Sequence, residues 1–257
     1  MLVTKSRKHG IDFIKVWWAS EPVRDKGIIE YHQSSFSTKE SVPFDSLISD
    51  ITGTPEEIKG VFTKGCRYKV NRAEREDISV RMMDDADITD EEIDRFLLFF
   101  KEFWVTKDSE LDDMSGLRDE LKRYRDADAL SFSIATVRGQ DAVYHTHIRD
   151  DVRARLLHSA SLYRLMSDEE SDSRNLTGMA NRYLHYADML HFKEMGLKTY
   201  DWGGAGRTED VANITEFKLS FGGIGEQTYD HNAYKGLRAR VFRLIVDALD
   251  DVLISRR

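Results

Sequence analysis

The segment Leu190-His-Phe-Lys-Glu-Met-Gly196-Leu-Lys-Thr-Tyr200-Asp201-Trp-Gly203-Gly204 decides the fold class of this chain. Helical spacing runs from Asn181 to Met195 and stops at Gly196, a residue type that commonly ends a helix. The residues from Leu197 to Trp202 then have the composition of a strand, which two glycines close. The segment therefore predicts a helix followed at once by a strand.

The flanking sequence extends this pattern in both directions. Thr89 and Glu92 have the spacing of a capping box and predict the start of a helix. The other predicted elements are a strand at Val80–Met82, a helix at Met114–Arg125, strands at Leu130–Arg138, Ala142–Arg149 and Ala154–Tyr163, a short helix through Glu216–Ser220, a strand at Gln227–Ala233 and a helix at Leu237–Leu253. Gly139-Gln140 predicts a hairpin turn, and the polar segment from Ser167 to Arg174 predicts a solvated loop. The order is that of an α+β protein whose mixed sheet is largely antiparallel and flanked by helices, unlike the strict alternation of a doubly wound sheet.

The N-terminal part has a weaker pattern. Phe13–Trp18 and Gly27–His32 are predicted strands, and a helix is predicted from about Pro55 to Glu76. We therefore expect residues 1–55 to form a strand-rich extension or partial domain, and residues 56–257 to form the main domain.

Composition excludes several classes of protein. The 257 residues include 38 Lys and Arg against 46 Asp and Glu, a net charge of −8, which argues against a general DNA-binding protein. Cys66 is the single cysteine, so no intramolecular disulfide and no cysteine-rich zinc module can form. The sequence shows neither a secretory signal nor 18 consecutive apolar residues, and we expect a cytoplasmic protein without a membrane span.

Three segments together resemble a known family. Lys64-Gly-Cys-Arg67-Tyr-Lys-Val-Asn71-Arg72-Ala-Glu74-Arg75 is similar to a basic helix of the FemABX-type peptidoglycan aminoacyltransferases and their GNAT relatives. The segment from Leu190 to Gly204 resembles that family's helix, glycine and "Tyr-Asp-Phe-Gly-Gly" strand, and Phe217-Lys218-Leu-Ser-Phe221-Gly222-Gly223 resembles its "Phe-Lys-x-x-Phe-Gly" element. The resemblance covers roughly residues 55 to 236.

The resemblance implies a GNAT-like fold and transfer of an acyl group to an amine, from aminoacyl-tRNA or from acyl-coenzyme A. Family members carry two GNAT-like domains, whereas only about 60 residues precede the basic helix here. The first domain must therefore be truncated or merged with the second.

The resemblance also implies the role of Lys218. It places a lysine beside the reacting groups, where an ammonium stabilises an oxyanion or an acceptor phosphate. The alternative is an ordinary surface lysine. Asp201, which precedes two glycines, is a candidate to accept a proton from the amine or to orient the acceptor, or else it caps the following loop.

Histidines form a second group of candidates. His145 and His147 share one face of a strand, and His158 belongs to the neighbouring strand. One of them, for which we select His147, is a candidate base. A metal site is not predicted, because no third ligand stands at a defined spacing.

A donor site is predicted at Asn175-Leu-Thr-Gly178-Met-Ala180, which precedes the helix expected from Asn181. This segment resembles the GNAT pyrophosphate loop, and exposed amides at a helix start bind phosphate. It implies Asn175, Gly178, Ala180 and Asn181 as contacts of an acyl-coenzyme A donor. An ordinary helix-initiating turn is the alternative.

The basic helix supplies candidate substrate contacts. Lys64, Arg67, Asn71 and Arg75 share one face, with Lys69 and Arg72 beside it. Such a face is able to hold a nucleotide-sugar diphosphate or a tRNA backbone, or it is solvated and paired with Glu74 and Glu76. We select Lys64, Arg67 and Arg72, together with the aromatic residues Phe217, Tyr200 and Tyr229 as walls of an acceptor pocket; aromatic residues on strands are otherwise core.

These expectations combine into one functional hypothesis and two alternatives. The hypothesis is an N-acyltransferase acting on an amine of a cell-envelope or sugar-nucleotide precursor, with acyl-coenzyme A as donor and no metal. The alternatives are an aminoacyl-tRNA-dependent ligase and a GNAT-like module that binds a ligand without turnover.

Overall fold

The computed structural model describes residues 1–105, 114–162, 171–206 and 209–254. Its strands are β1 (Leu2–Lys8), β2 (Ile11–Trp17), β3 (Gly27–Ser34), β4 (Val42–Asp50), β5 (Ile78–Asp84), β6 (Leu130–Val137), β7 (Gln140–Arg149), β8 (Arg153–Ser161), β9 (Thr199–Gly204) and β10 (Ile224–Lys235). Its helices are α1 (Pro55–Gly60), α2 (Lys64–Ala73), α3 (Asp90–Val105), α4 (Ser115–Arg125), α5 (Ser171–Glu194), α6 (Glu209–Leu219) and α7 (Leu237–Ile254). None of the helices in the described ranges is long and apolar enough to cross a membrane.

The chain divides into two compact units. The first unit combines residues 1–45 with residues 227–257, and the second is the continuous segment 46–226. This division differs from the predicted boundary near residue 55, which assigned residues 227–257 to the main domain. The difference arises because β10 pairs with β3 over Gly27–Ser34, a long-range contact that local sequence does not reveal.

The first unit has a sheet in the order β1, β2, β3 and β10. β1 and β2 are antiparallel, β2 and β3 are parallel, and β3 and β10 are antiparallel. Its core contains Ile14, Val16, Ala19, Ile29 and Tyr31.

The second unit has a sheet in the order β4, β9, β8, β7, β6 and β5. Its neighbouring strands are antiparallel except β8 and β9, which are parallel. This parallel pair spans three residues on each strand, Arg153–Arg155 against Thr199–Asp201, although β8 continues to Ser161 and β9 to Gly204. The two strands thus cease to pair beyond Asp201, and one of the cavities described below is lined by residues of both.

The predicted order from Val80 onward is confirmed, and so is the α+β class with a largely antiparallel sheet. Glu92 donates its backbone N–H to the Thr89 hydroxyl at 3.2 Å, as the predicted cap requires, but its carboxylate accepts from Arg81 instead. Gly196 ends α5 with φ of +89°, a left-handed conformation that glycine adopts without strain. The predicted strand end at Tyr163 and residues 167–170 of the predicted loop lie outside the described residues.

Three local predictions are wrong. β1 and β4 were not predicted, and the helix expected from Pro55 to Glu76 is two helices, since Thr63 caps α2 by accepting from the Cys66 amide at 3.3 Å. The third error bears on the site. α5 begins at Ser171 rather than Asn181, so Asn175 to Ala180 form helix and not a loop.

Candidate functional site

Helix α5 forms a wall of two cavities in the second unit. Asn175, Gly178 and Arg182 line the first cavity, while Asn181 and His185 line the second. Spacings of three and four residues place each group on one face of the helix. A third polar residue, Asp188, continues the Asn181 face and is buried.

The first cavity has a volume of about 550 Å³ and lies between α2 and the N-terminal half of α5. Its lining includes one acidic residue, Glu76, and the five cations Lys69, Arg72, Arg138, Arg174 and Arg182. Arg72 donates to the Glu76 carboxylate at 3.1 Å, which offsets one of the positive charges. The cavity therefore favours an anion.

The cations of this cavity disfavour one another. Arg182 lowers the pKa of Lys69, and burial lowers the pKa of Arg182 itself. The Nε atom of Arg182 is buried and forms no hydrogen bond with any described residue. A phosphate in the cavity would relieve the repulsion and supply an acceptor, since a charged group is costly to bury without a partner.

Gly178 faces open space in this cavity. A Cβ placed on it would meet nothing within 4 Å, so packing against the protein does not explain a glycine there. Glycine in a helix interior costs about 1 kcal/mol relative to alanine. Because Gly178 has no side chain, a ligand is able to approach the helix backbone closely beside the cations.

The second cavity has a volume of about 320 Å³ and lies where β8 and β9 have separated. Its lining includes the apolar residues Leu156, Trp202 and Phe217 and six polar residues, which are Ser159, Ser161, Asn181, His185, Asn213 and Lys218. The guanidinium of Arg182 lies 4.6 Å from the ring centroid of Phe217. The cation-lined cavity and the Lys218 cavity are therefore adjacent, and the contact between Arg182 and Phe217 lies between them.

Lys218 is 9 % exposed, and its Nζ donates to the carbonyl oxygen of Gly204 at 2.6 Å. Burial, assisted by the charge of Arg155, lowers the pKa of Lys218 to about 8. An ammonium has three N–H donors, so two are left when one is bonded to Gly204. At neutral pH the group is mainly charged and able to bind an oxyanion in the cavity.

Behind the second cavity lies a buried histidine cluster, formed by His145, His147, His185, Asp188 and Tyr200. His145 Nδ1 and Asp188 Oδ2 are 2.7 Å apart, and His145 Nε2 lies 3.0 Å from Asn181 Oδ1. The Tyr200 hydroxyl is 3.0 Å from His147 Nε2 and 3.0 Å from His185 Nδ1. The cluster links β7, α5 and β9 through side chains that are almost wholly buried.

The charges of the histidine cluster follow from its burial. Burial lowers the pKa of His147 to about 4 and that of His185 well below its ordinary value, so both imidazoles are neutral at pH 7. Burial alone raises the pKa of Asp188, but the neighbouring His147 and His145 outweigh it and the net pKa is lowered. Asp188 is therefore a buried carboxylate held by imidazoles.

The cluster offers three potential metal ligands, His145, His185 and Asp188, whose ligand atoms lie within 4.8 Å of one another. The two imidazoles are stacked, with centroids 4.1 Å apart and planes 28° apart. The lone pairs of imidazole lie in the ring plane, so stacked rings do not direct them at a common point. This geometry favours hydrogen bonding over metal coordination.

The structure brings together some of the predicted residues. Lys218, Phe217 and Asn181 line the second cavity, and Arg72, Asn175 and Gly178 line the first. The roles assigned to them remain predictions. The pyrophosphate loop itself does not exist, because these residues lie within α5 and its backbone amides are bonded along the helix.

Asp201 has both carboxylate oxygens engaged. Oδ1 accepts from the Gly203 amide at 2.7 Å, the loop cap considered above as the alternative, and Oδ2 lies 3.2 Å from Arg153. The side chain is fully buried and lines neither cavity. This arrangement favours a structural role at the end of β9.

The remaining candidates lie outside both cavities. Lys64 is exposed, and Arg67 donates to the Gly60 carbonyl at 2.9 Å. The other four are Ala180 and Tyr200 in the core, His147 in the histidine cluster, and Tyr229 on β10 in the first unit. The basic helix does border the first cavity, but through Lys69 and Arg72 rather than through the Lys64 face.

His185 and Asp188 are the polar residues that the sequence analysis missed. Together with Asn181 they recur at spacings of four and three residues, which places them on one face of the helix and is the signal that would have found them. Arg138, Arg174 and Arg182 were missed as well, because three distant segments converge on one cavity.

Comparison with solved structures identifies the fold. The chain is similar to FemX with a TM-score of 0.58 and 14% identity, over 78% of this chain and 63% of that chain, so it spans less than two thirds of the length of FemX. It is also similar to L-PGS from Bacillus licheniformis, with a TM-score of 0.53 and 12% identity over 96% of this chain and 85% of that one. No protein-family model and no curated protein matches the sequence. The chain therefore shares its fold with FemX and L-PGS.

Proposed function

We propose that the protein transfers an acyl group from acyl-coenzyme A, a phosphate-bearing donor, directly to an amine. One observation carries the proposal: a cation-lined cavity and a cavity with a buried lysine share α5 as a wall and are adjacent, with Arg182 of the first in contact with Phe217 of the second. A donor with phosphates at one end and a reactive carbonyl at the other matches this division. The fold shared with FemX and L-PGS is consistent with the proposal.

Each cavity has its own task in the reaction. Lys69, Arg174 and Arg182 bind the donor phosphates, which the open surface at Gly178 allows to approach the helix. The acyl carbonyl lies in the second cavity. The amine attacks its carbon without a covalent enzyme intermediate, and the ammonium of Lys218 stabilises the oxyanion that forms.

The acceptor that we propose is an amine of a cell-envelope or sugar-nucleotide precursor, the class that the resemblance implies. Closure of the cleft around Lys218 and Gly178 would have favoured a module that binds without turnover. Both residues instead border open cavities, which supports an enzyme.

An aminoacyl-tRNA donor is the second candidate. The same five cations favour it, since a tRNA phosphate backbone is bound mainly through Lys and Arg. Its affinity would fall steeply with salt, because each phosphate that is neutralised releases counterions. Coenzyme A carries fewer phosphates, so its affinity should fall less steeply with salt concentration.

Calorimetric titration of the full chain with acetyl-coenzyme A tests the donor, with coenzyme A and ATP as comparisons. We expect micromolar binding that Gly178→Glu weakens at least tenfold. Release of free thiol in the presence of a panel of amines then tests turnover. Absence of binding at millimolar acetyl-coenzyme A, with salt-sensitive binding of charged tRNA, would replace the first donor by the second.

A further inference from the structure

The tautomers of the histidine cluster can be worked out from its hydrogen bonds. His147 has one bonded nitrogen, Nε2, which faces the Tyr200 hydroxyl at 3.0 Å, while its Nδ1 is buried and forms no hydrogen bond with any described residue. A buried N–H without an acceptor costs about 1 to 3 kcal/mol. Nε2 faces two oxygens, that of Tyr200 at 3.0 Å and Oδ2 of the Asp188 carboxylate at 3.5 Å, whereas Nδ1 faces no acceptor, so the neutral His147 ring carries its hydrogen on Nε2 and donates it to the nearer Tyr200 oxygen.

This assignment fixes the direction of the next hydrogen bond. Tyr200 has a single hydroxyl hydrogen, and its oxygen faces the imidazoles of His147 and His185, each at 3.0 Å, and also the carboxylate of Asp188. The oxygen accepts from His147, and Asp188 Oδ2 already accepts from His145 at 2.7 Å, so we assign the hydroxyl hydrogen to Nδ1 of His185, which lies 3.0 Å away. His185 is then protonated on its other nitrogen, Nε2.

The Nε2–H of His185 is the donor left for the second cavity. His185 lines that cavity together with Lys218, and Nδ1 is the nitrogen that the Tyr200 bond occupies. The ring is held between neighbours: it stacks on His145 at 4.1 Å and lies 4.9 Å from the ring centroid of Trp202. Such a donor is oriented before any ligand binds.

We propose that His185 is a second catalytic residue, whose Nε2–H donates a hydrogen bond to the oxyanion of the tetrahedral intermediate beside Lys218. This inference rests on the acyl transfer proposed above. It assigns to His185 the role of neutral donor, and to Tyr200 and His147 the role of positioning residues that hold its tautomer.

The proposed step balances without a change in the protonation of His185. The amine nitrogen forms a bond to the carbonyl carbon of the thioester, and the π electron pair moves to the oxygen, where His185 and Lys218 stabilise it. When that pair returns, the carbon–sulfur bond breaks and the thiolate leaves. The thiolate takes the proton that the amine nitrogen loses, giving an amide and a free thiol.

The surroundings of His185 keep it a donor rather than an acid. Burial lowers its pKa, and the nearby ammonium of Lys218 lowers it further. A neutral imidazole at pH 7 offers one N–H and cannot lose the proton to the oxyanion as readily as an imidazolium. Preorganised donors of this kind typically contribute about 10² to 10³ in kcat.

A spectroscopic measurement tests the tautomer without any substrate. Long-range ¹H–¹⁵N correlation spectra of the ¹⁵N-labelled full chain identify which ring nitrogen of His185 is protonated, with His185→Gln to assign the signals. We expect Nε2–H in the wild type, and a mixture of tautomers in Tyr200→Phe. A protonated Nδ1 in the wild type would overturn the inference whatever the activity.

Kinetics test the catalytic role. His185→Ala is expected to lower kcat about 10² to 10³-fold and to change the donor KM less than threefold, whereas His185→Gln, whose amide N–H lies near the position of Nε2, should stay within about tenfold of wild type. Equal activity of His185→Ala and wild type would overturn this inference alone. Absence of transfer in the wild type would overturn the proposed function, and the role of His185 with it.

Discussion

The Nζ atom of Lys218 lies 2.6 Å from the carbonyl oxygen of Gly204, so the buried lysine is fixed against the end of β9. Its other two N–H donors have no such partner among the described residues. Burying a cation with only one of its three donors bonded lowers the stability of the protein. Such a cost is typical of residues that are kept for function.

Replacing Lys218 by an uncharged residue should lower activity and raise stability. We expect Lys218→Met to lower kcat/KM for acyl transfer at least 10²-fold. Because the native pKa of about 8 lies below the ordinary value of 10.5, the same change should raise the free energy of unfolding at pH 7 by about 1 to 2 kcal/mol. Urea denaturation and thiol-release kinetics measure the two effects, with the exposed Lys198→Met as the matched control.

Activity should depend on pH through Lys218. The ammonium is present below its pKa and is lost as the pH rises, so kcat/KM should fall above about pH 8. An acceptor amine that is neutral throughout, such as hydroxylamine, removes the titration of the nucleophile. Lys218→Arg keeps the charge and should lose this alkaline decline; the same decline in Lys218→Arg would show that another group titrates.

Gly178 offers a pair of substitutions with opposite expectations. A Cβ meets no atom within 4 Å, so Gly178→Ala should stabilise α5 by about 1 kcal/mol and leave donor binding nearly unchanged. Gly178→Glu places a carboxylate among the cations and should weaken binding at least tenfold. Thermal unfolding and calorimetry measure the two outcomes, and loss of binding in both variants to the same extent would indicate damage to the helix rather than to the anion site.

Asp188 should be essential for stability. Removing its charge leaves His145 and His147 without the carboxylate that faces them at 2.7 Å and 3.5 Å. Leaving a buried hydrogen-bonding group without its partner costs about 1 to 3 kcal/mol, so Asp188→Asn should lower the urea midpoint with little change in the slope. The exposed Asp126→Asn is the control and should lie within about 0.5 kcal/mol of wild type. A loss below about 1 kcal/mol for Asp188→Asn would mean that the cluster is not held by charge.

Local sequence was sufficient for most of the second unit. The cap at Thr89 and the stop at Gly196 act through neighbouring backbone groups, and the structure confirms both. The start of α5 was misplaced because its first turns are polar. Leu176, Met179 and Ala180 nevertheless pack into a core with residues of β6 and β7, and this tertiary contact outweighs the local composition.

The candidate site was predictable in part for the same reason. Lys218 and Gly178 belong to short motifs, whereas the correct face of α2 depends on which residues of that helix are buried. Cys66, Val70 and Ala73 form its buried stripe, which places Lys69 and Arg72 at the cavity. The pairing of His145 with Asp188 joins β7 to α5, a contact that no local pattern encodes.

The division of the chain has a consequence for the order of folding. The second unit is continuous, and its two ends meet where the Ser46 hydroxyl donates to the Glu226 carbonyl at 3.5 Å. The first unit consists of the segments on either side, which must find each other across everything between residues 46 and 226. Closing so long a loop is entropically unfavourable and slow, but prior folding of the inserted unit turns it into a short-range encounter. We therefore expect β10 to join β3 late, after the unit that carries the histidine cluster has formed.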